Sequence, residues 1–205
     1  MIVIIDYGMG NLWSVLKAFK RINADAIVSS EIGDIRNAGK LILPGVGHFR
    51  NGMDKLKKLN LIDVLNEKVL LQKTPILGIC LGVQLFTKHS DEGDCEGLGW
   101  LDARTIRFNF DKSNSVYKIP HMGWNNIKPE KNCVLFDGLE KDALFYFVHS
   151  FHVCPDKKDD IASTTEYNIR FVSSVQKDNI YGTQFHPEKS HKNGLKILEN
   201  FVEKT

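Results

Sequence analysis

Three side chains in this sequence form a set suited to nucleophilic catalysis: Cys80, His186 and Glu188. A thiol nucleophile needs a base that takes and returns its proton, and the base needs a carboxylate that fixes its tautomer and supports the imidazolium. The set supplies one group for each role. Because a free cysteine is most often a small buried hydrophobic residue, the hypothesis depends on the surroundings of each group.

The surroundings of Cys80 favour the nucleophile. Residues 75–84 read PILGICLGVQ, an apolar run that is typical of a buried parallel strand. Gly78 and Gly82 are suited to a sharp turn from that strand into a helix, where free backbone N–H groups favour an anion. The predicted geometry is the nucleophile elbow of Gly-x-Ser-x-Gly hydrolases with sulfur in place of oxygen.

The surroundings of His186 favour the base. Pro187 biases His186 toward extended dihedrals, and in an extended segment residues two apart point to the same side, so the imidazole and the Glu188 carboxylate are predicted to meet. His149 and His152 follow an aromatic strand, but no cysteine or carboxylate cluster there completes a metal set. We therefore predict no metal site, and interpret the remaining histidines as surface or hydrogen-bonded structural residues: His48, His89, His121 and His191.

The first half of the chain predicts the frame that holds these groups. Residues 2–5 form an apolar strand, residues 6–11 (DYGMGN) a glycine-rich loop, and Leu12, Val15, Leu16 and Phe19 one face of a helix. The loop lacks the third glycine of a dinucleotide fingerprint, so we predict no cofactor.

The following elements repeat this alternation. Strands are predicted at 26–28 and 40–43, the latter ending in PGVG (44–47), where backbone can approach a ligand closely. An amphipathic helix over 61–71 stops before Thr74-Pro75. Alternating strands and helices up to about residue 89 predict an α/β fold with a three-layer, mostly parallel open sheet.

The second half of the chain is less regular. Between residues 93 and 131 the periodicity weakens, which indicates loops and an antiparallel extension of the sheet. Residues 120–125 (PHMGWN) are predicted to lie in a loop, as either a buried corner or a contact surface. Further strands are predicted over 143–148 and 171–175.

Composition limits the functional classes. With 205 residues, 42% hydrophobic content and no linker or repeat, the chain is predicted to form a single domain over 1–205. A net charge of +2 gives no indication of nucleic-acid or membrane-surface binding. The cysteines have no C-x-x-C spacing, which favours a reduced, cytoplasmic protein; they are Cys80, Cys95, Cys133 and Cys154.

Several motifs carry a family resemblance. PGVG (44–47), GICLGVQ (78–84) and QFHPE (184–188) resemble the class I, triad-type glutamine amidotransferases, whose fold is flavodoxin-like. Within that class, residues 6–11, 120–125 and YFVHS (146–150) resemble the glutaminase subunits of imidazole glycerol phosphate synthases. The resemblance runs nearly end to end and is weakest in the loop at 109–118.

The resemblance implies hydrolysis of L-glutamine through a Cys80 thioester, with His186 as acid and base and Glu188 orienting it. It implies an oxyanion hole made by the peptide N–H groups of Leu81 and Val46, the latter after reorientation. The remaining implied substrate-binding residues are Gly45, Gly47, Gln84, Ser150 and Phe151.

The resemblance also implies a partner. In that family ammonia passes to a (β/α)8-barrel cyclase subunit, which forms imidazole glycerol phosphate and the aminoimidazole carboxamide ribotide in histidine biosynthesis. Asn11, Trp124, Tyr146 and Lys189 match positions at or near the interface of this heterodimer. We expect low glutaminase activity until the cyclase and its ligand dock, because the Val46 peptide must turn.

Three other interpretations remain at this point. A paralogous glutaminase could feed a different synthetase, such as one that amidinates surface sugars, and the triad residues do not separate the two. A cysteine peptidase or thiol stress protein on a similar fold would not need the carboxylate of QFHPE or the PGVG loop. A catalytically inactive binding subunit would not need the triad.

Overall fold

The computed structural model describes residues 1–110 and 117–205, so residues 111–116 of the loop at 109–118 lie outside the described part. Strands and helices alternate up to Ser90, as predicted. The strands are β1 (Ile2–Ile5), β2 (Ala26–Ser29), β3 (Lys40–Gly45), β4 (Ile76–Cys80), β5 (His89–Ser90), β6 (Cys95–Glu96), β7 (Ala103–Arg107), β8 (His121–Asn126), β9 (Lys128–Pro129), β10 (Leu144–His149), β11 (Phe151–Pro155), β12 (Ile161–Tyr167), β13 (Ile169–Lys177) and β14 (Ile180–Thr183). The helices are α1 (Leu12–Arg21), α2 (Ile32–Asn37), α3 (Phe49–Lys58), α4 (Leu61–Asn66), α5 (Leu81–Leu85) and α6 (His191–Lys204).

The main sheet has the strand order β2-β1-β3-β4-β14-β13-β12-β9. In that order, the first five strands, β2, β1, β3, β4 and β14, pair in parallel. The pairings of β14 with β13, β13 with β12 and β12 with β9 are antiparallel. Alternate residues of β1 enter two different hydrophobic clusters: Val3 and Ile5 on one face, Ile2 and Ile4 on the other. Helices therefore cover both faces, which confirms the predicted layered, largely parallel sheet with an antiparallel extension. The predicted position of the extension, within residues 93–131, was wrong except for β9, because the extension consists mainly of β12 and β13.

Two smaller sheets stand beside the main one, β10-β8 and β11-β7-β5-β6. The predicted loop at 120–125 was wrong, because His121–Asn126 is strand β8. It pairs along its whole length with the aromatic strand β10, His121 opposite His149 and Trp124 opposite Tyr146. Glycine and asparagine disfavour strands locally, but pairing with a strongly strand-forming partner overrides that preference.

The predicted helix over 61–71 is also modified. Helix α4 ends at Asn66 and continues as a π-helical turn, Glu67–Leu71. Lys68 is buried with its Nζ donating to the Arg36 carbonyl at 3.0 Å, whereas Leu71 is 78% exposed. The wider turn rotates these side chains away from the face that a 3.6-residue period assigns to them.

No helix in 1–110 or 117–205 is long and apolar enough to cross a lipid bilayer.

Candidate active site

Cys80 occupies the elbow that the sequence predicts. It is the last residue of β4 and precedes α5, with φ 54° and ψ −107°. Positive φ is uncommon for a residue with a side chain and indicates local strain at a turn. A Cβ added at Gly82 would overlap the Leu43 carbonyl oxygen, and one added at Gly78 would overlap the Phe86 ring. Both glycines are therefore required because neighbouring groups approach their Cα atoms closely.

Gly82→Ala is expected to destabilise the protein by about 3 kcal/mol, since α5 must move away from β3 to admit the methyl group. Thermal unfolding should show a decrease in Tm of about 6 to 12 °C. Gly33→Ala is the matched control, because Gly33 lies in α2 with no atom within 4 Å of an added Cβ. Alanine there should leave Tm unchanged or raise it slightly. Equal effects of the two substitutions would contradict the close approach of α5 to β3.

His186 and Glu188 form a buried pair. His186 Nδ1 lies 2.8 Å from Glu188 Oε1, and the two side chains are 2% and 3% exposed. His186 is extended, with φ −99° and ψ 95°, but Pro187–Lys189 is a 3₁₀ turn. The prediction that the segment stays extended through Glu188 was therefore wrong, and the turn itself returns the carboxylate to the imidazole.

The charged groups beside His186 favour its protonated form. Burial alone would lower its pKa, but the charges of Cys80 and Glu188 and the hydrogen bond with Glu188 outweigh burial and raise the pKa to about 10. His186 Nε2 is buried and has no hydrogen-bond partner among the described residues. Cys80 Sγ lies 3.9 Å from the Val148 carbonyl oxygen and accepts from Gln184 Nε2 at 3.7 Å. Nε2 is thus the ring atom left free for proton exchange.

The thiol opens into a cavity of about 390 Å³. Six of the residues expected at the oxyanion hole and substrate site line it: Val46, Gly47, Leu81, Gln84, Ser150 and Phe151. Gly45 does not line the cavity; it is buried, and an added Cβ would meet the Tyr7 hydroxyl and Leu81. Gly45 pairs in register with Cys80 across β3 and β4, so it fixes the position of the segment that follows.

Gln84 is more constrained than the resemblance implies. Its Nε2 donates to the Phe151 carbonyl and to Gln184 Oε1, each at 3.0 Å. Both amide hydrogens are therefore used within the protein, and only Oε1 remains for a ligand.

Glu92 lines the same cavity and was not among the predicted residues. Its Oε2 accepts the Phe49 N–H at 2.8 Å, which holds the carboxylate in place. It belongs to an acidic stretch, residues 91–94, and neither its type nor its spacing distinguishes it from its neighbours. Only the folded structure places it near Cys80.

The glycine-rich loop at 6–11 packs against the PGVG segment. The Tyr7 hydroxyl donates to the Pro44 carbonyl at 2.7 Å, and a Cβ at Gly10 would lie 3.4 Å from Gly45 Cα. Gly10 has φ +111°, a conformation that favours glycine. The loop therefore supports the segment that carries Val46.

Three of the four residues expected at a partner interface form one cluster at the His186 turn, in which Trp124 is exposed and Tyr146 and Lys189 are half-buried. The ring centroids of Trp124 and Tyr146 are 5.9 Å apart, and Lys189 Nζ lies 5.8 Å from the Tyr146 ring. Trp124 is 46% exposed. Asn11 is separate from this cluster: it is exposed and caps α1, accepting the Ser14 N–H at 3.2 Å.

In the described part of the chain, no group of three or more histidine, cysteine, aspartate or glutamate residues is arranged to hold a metal ion.

Comparison with known proteins gives a consistent picture. A family model described as "Glutamine amidotransferase class-I" matches residues 3–205. A protein of Methanococcus maripaludis named "Imidazole glycerol phosphate synthase subunit HisH 2" is 54% identical over 203 residues, covering 98% of each chain. A protein named subunit HisH 2 in Pseudomonas aeruginosa is 46% identical, and the alignment covers 99% of both chains. A protein named subunit HisH 1 in Campylobacter jejuni is 49% identical, and the alignment covers 98% of this chain and 99% of the relative.

Solved structures share the fold at low sequence identity. A structure described as a glutamine amidotransferase has a TM-score of 0.71 at 17% identity, covering 98% of this chain and 100% of the other. The PurLQS structure from Thermotoga maritima has a TM-score of 0.71 at 15% identity, covering 98% and 96%.

Proposed function

Because this chain belongs to the class-I glutamine amidotransferase family, we propose that it is the glutaminase subunit of an imidazole glycerol phosphate synthase and supplies ammonia for histidine biosynthesis. The observation that carries the proposal is the buried His186–Glu188 pair, in which Nδ1 and Oε1 are 2.8 Å apart. This pairing leaves His186 Nε2 available to exchange a proton with the Cys80 thiol at the elbow. The subunit names of the relatives, at 46 to 54% identity, support the specific assignment.

The first half of the reaction uses the thiolate and the imidazolium. Cys80 Sγ attacks the side-chain amide carbon of glutamine and gives a tetrahedral oxyanion. As the carbon–nitrogen bond breaks, His186 Nε2 donates its proton to the departing nitrogen, and ammonia leaves. The raised pKa of His186 means that this proton is already on the ring at neutral pH. A glutamyl thioester on Cys80 remains.

The second half reverses the proton transfer. Water attacks the thioester carbonyl while His186 takes one of its protons, and the thioester bond breaks to release glutamate and the Cys80 thiolate. Glu188 accepts from Nδ1–H throughout, which keeps Nε2 as the exchanging atom and stabilises the imidazolium. The enzyme returns to its starting charge state.

The cavity offers complementary groups to the other end of glutamine. The Glu92 carboxylate suits the α-ammonium, and the backbone of Ser150 and Phe151 lines the same wall. The Gln84 Oε1 is a further acceptor. A site that satisfies the charged α-substituents holds the side-chain amide in one orientation before attack.

The oxyanion needs two N–H donors aimed at the developing charge. The Leu81 N–H lies at the start of α5 next to Cys80. We assign the second to the Val46 peptide, because Val46 lines the cavity and is 40% exposed. Gly47, at φ +107°, gives the peptide freedom to reorient. Because the Val46 N–H must turn before it can donate to the oxyanion, the partner can control glutamine hydrolysis through this peptide.

We assign the partner surface to the cluster of Trp124, Tyr146 and Lys189, together with the separate exposed residue Asn11. Exposed aromatic rings with a neighbouring cation are typical of interface hot spots. The partner is a (β/α)8-barrel cyclase, and its docking here would place the ammonia exit next to His186.

The proposal is tested by measuring glutamate release by the protein alone, with the cyclase, and with the cyclase and its ribonucleotide substrate. We expect about 10²-fold stimulation in the complete mixture, the effect of completing one oxyanion donor pair. Trp124→Ala is expected to lose the stimulation and keep the basal rate. An isolated subunit that is already fully active would contradict the Val46 switch.

The alternative is a different acceptor for the ammonia, because the three relatives described above carry numbered names, HisH 1 or HisH 2. A paralogous glutaminase would use the same triad and a different synthetase. Glutaminase activity that does not respond to the cyclase would favour this alternative, since specificity of this kind lies in the partner surface.

A further inference from the structure

A pair of buried histidines lies at the wall of the glutamine cavity, which His149 itself lines. His121 on β8 and His149 at the end of β10 are 2% and 6% exposed, and His121 Nδ1 lies 3.1 Å from His149 Nε2. His149 Nδ1 lies 2.8 Å from the Phe151 carbonyl oxygen. His121 Nε2 lies 3.5 Å from Asn125 Nδ2. The proposed mechanism uses neither histidine.

The two ends of this chain of contacts determine the direction of every hydrogen bond. A carbonyl oxygen only accepts, so His149 Nδ1 carries a hydrogen and donates to Phe151. Asn125 Nδ2 also donates to the Glu166 carbonyl at 3.0 Å, which identifies it as the amide nitrogen and therefore a donor to His121 Nε2. His121 Nδ1 must then donate to His149 Nε2. Both rings are neutral Nδ1–H tautomers.

Adding a proton to either ring would place two N–H groups against each other. Among the described residues, the side chains packed against the two rings carry no negative charge in compensation. His121 lies between Phe147 and Tyr167, with ring centroids 4.8 and 3.9 Å away. His149 faces Phe108 and Phe171 at 5.1 and 5.2 Å.

Tyr167 is the titratable side chain that stacks on His121. The groups whose charge acts on His149 are other histidines. His152 on β11 and His186 both oppose a positive charge on His149. Burial lowers the pKa of His121 to about 4 and holds the pKa of His149 well below its usual value. The hydrogen-bond directions and the surroundings thus agree on a neutral pair.

The pair acts on the corner between β10 and β11. Val148, His149, Ser150 and Phe151 make up this corner, and all four line the cavity. The Phe151 carbonyl accepts from both His149 Nδ1 and Gln84 Nε2, which ties the corner to α5. The hydrogen bond from His149 spans Ser150, so it restricts the peptides on both sides of that residue.

We propose that His121 and His149 are positioning residues that hold the 148–151 corner in its glutamine-binding conformation and so determine the affinity for glutamine. This inference rests on the proposed function, since it takes glutamine as the occupant of the cavity. Neither histidine acts on the reacting atoms, so the effect is on binding and not on the chemical step.

The test compares two substitutions of His121 in the complex with the cyclase. His121→Phe keeps the ring stacking but leaves His149 Nε2 without a donor, and we expect KM for glutamine to rise about tenfold with kcat within about threefold of wild type. His121→Asn places an amide N–H where Nδ1–H was, and should recover most of the lost affinity. His152→Phe is the matched control, because His152 packs against Phe108 and Phe171 but takes no part in the His121–His149 hydrogen bonds. The KM of this variant for glutamine should stay within about twofold of the wild-type value.

Two further measurements keep the test decisive. Long-range ¹H–¹⁵N spectra should show His121 and His149 as neutral Nδ1–H tautomers that do not titrate between pH 6 and 8. If His121→Phe does not fold, His121→Gln replaces it, since its amide reaches the Nε2 position and misses His149. An Nε2–H tautomer, protonation in this range, or an unchanged KM in the variant lacking the donor would overturn the proposal.

The spectra separate this inference from the proposed function. If the wild-type protein hydrolyses no glutamine with any partner, the function fails while the tautomers still confirm or refute the hydrogen-bond chain. If hydrolysis is normal and the KM for glutamine does not change when the His121 donor is removed, only the positioning role is refuted.

Discussion

Replacing Cys80 with serine is expected to lower glutamine hydrolysis at least about 10⁴-fold. The substitution exchanges one atom and keeps the Cβ, so the strained elbow at φ 54° is not altered further. A hydroxyl beside His186 is not ionised at neutral pH, so the attacking anion is lost. The imidazolium also loses the thiolate charge that contributes to its raised pKa.

The measurement is glutamate release by the complex with the cyclase and its substrate. Supplying ammonia directly should restore product formation in the Cys80→Ser mixture, which shows that the cyclase is intact and that only the supply of ammonia from glutamine is lost. Cys154→Ser is the matched control, because Cys154 is exposed and lies on β11 away from the elbow. A Cys80→Ser protein that retained a tenth of the activity would refute the thioester mechanism.

The elbow was predictable because its requirements are local. An apolar strand, a nucleophile and two glycines within a few residues leave few alternative conformations, and the glycines are required here by contacts with Leu43 and Phe86. The same holds for β1 and α1, whose apolar periods match their buried faces. Local pattern and global fold agree in these segments.

Strand β8 was not predictable because its cause is not local. Trp124 and its neighbours have a weak strand pattern, and they are extended because β10 pairs with them from Leu144 to His149. Glu92 and the His121–His149 pair were missed for the same reason: each depends on residues brought together from distant parts of the chain. A sequence read in order does not supply those distances.

His186 and Glu188 show a different outcome. Their pairing was predicted from an extended segment, whereas the structure joins them through a 3₁₀ turn. Pro187 suits both conformations, since its fixed φ occurs in extended and in helical turns. The contact itself was predicted, but the reason given for it was wrong, since His186 precedes the turn and Glu188 lies within it.

His186→Ala is expected to lower kcat/KM for glutamine at least about 10⁴-fold, since both proton transfers depend on this ring. The residual activity should be similar to that of Cys80→Ser, and the double variant should be no worse, because the two residues act as one unit. His191→Ala, on the exposed stack with Trp124, is the matched control for removal of a histidine near the same turn.

The rate at which iodoacetamide alkylates Cys80 measures the interaction of Cys80 with His186 without any glutamine hydrolysis. In the wild-type protein the pKa of His186 is raised to about 10, so the ring stays protonated from pH 6 to 8. A positive charge beside a thiol favours its thiolate form. The alkylation rate should therefore be nearly flat over that range. Removing the ring should slow alkylation about tenfold at pH 7 and make the rate increase with pH, as it does for an unassisted thiol. If His186→Ala left the rate and its pH dependence unchanged, the imidazole would not be the partner of the nucleophile, and the mechanism would need a different base.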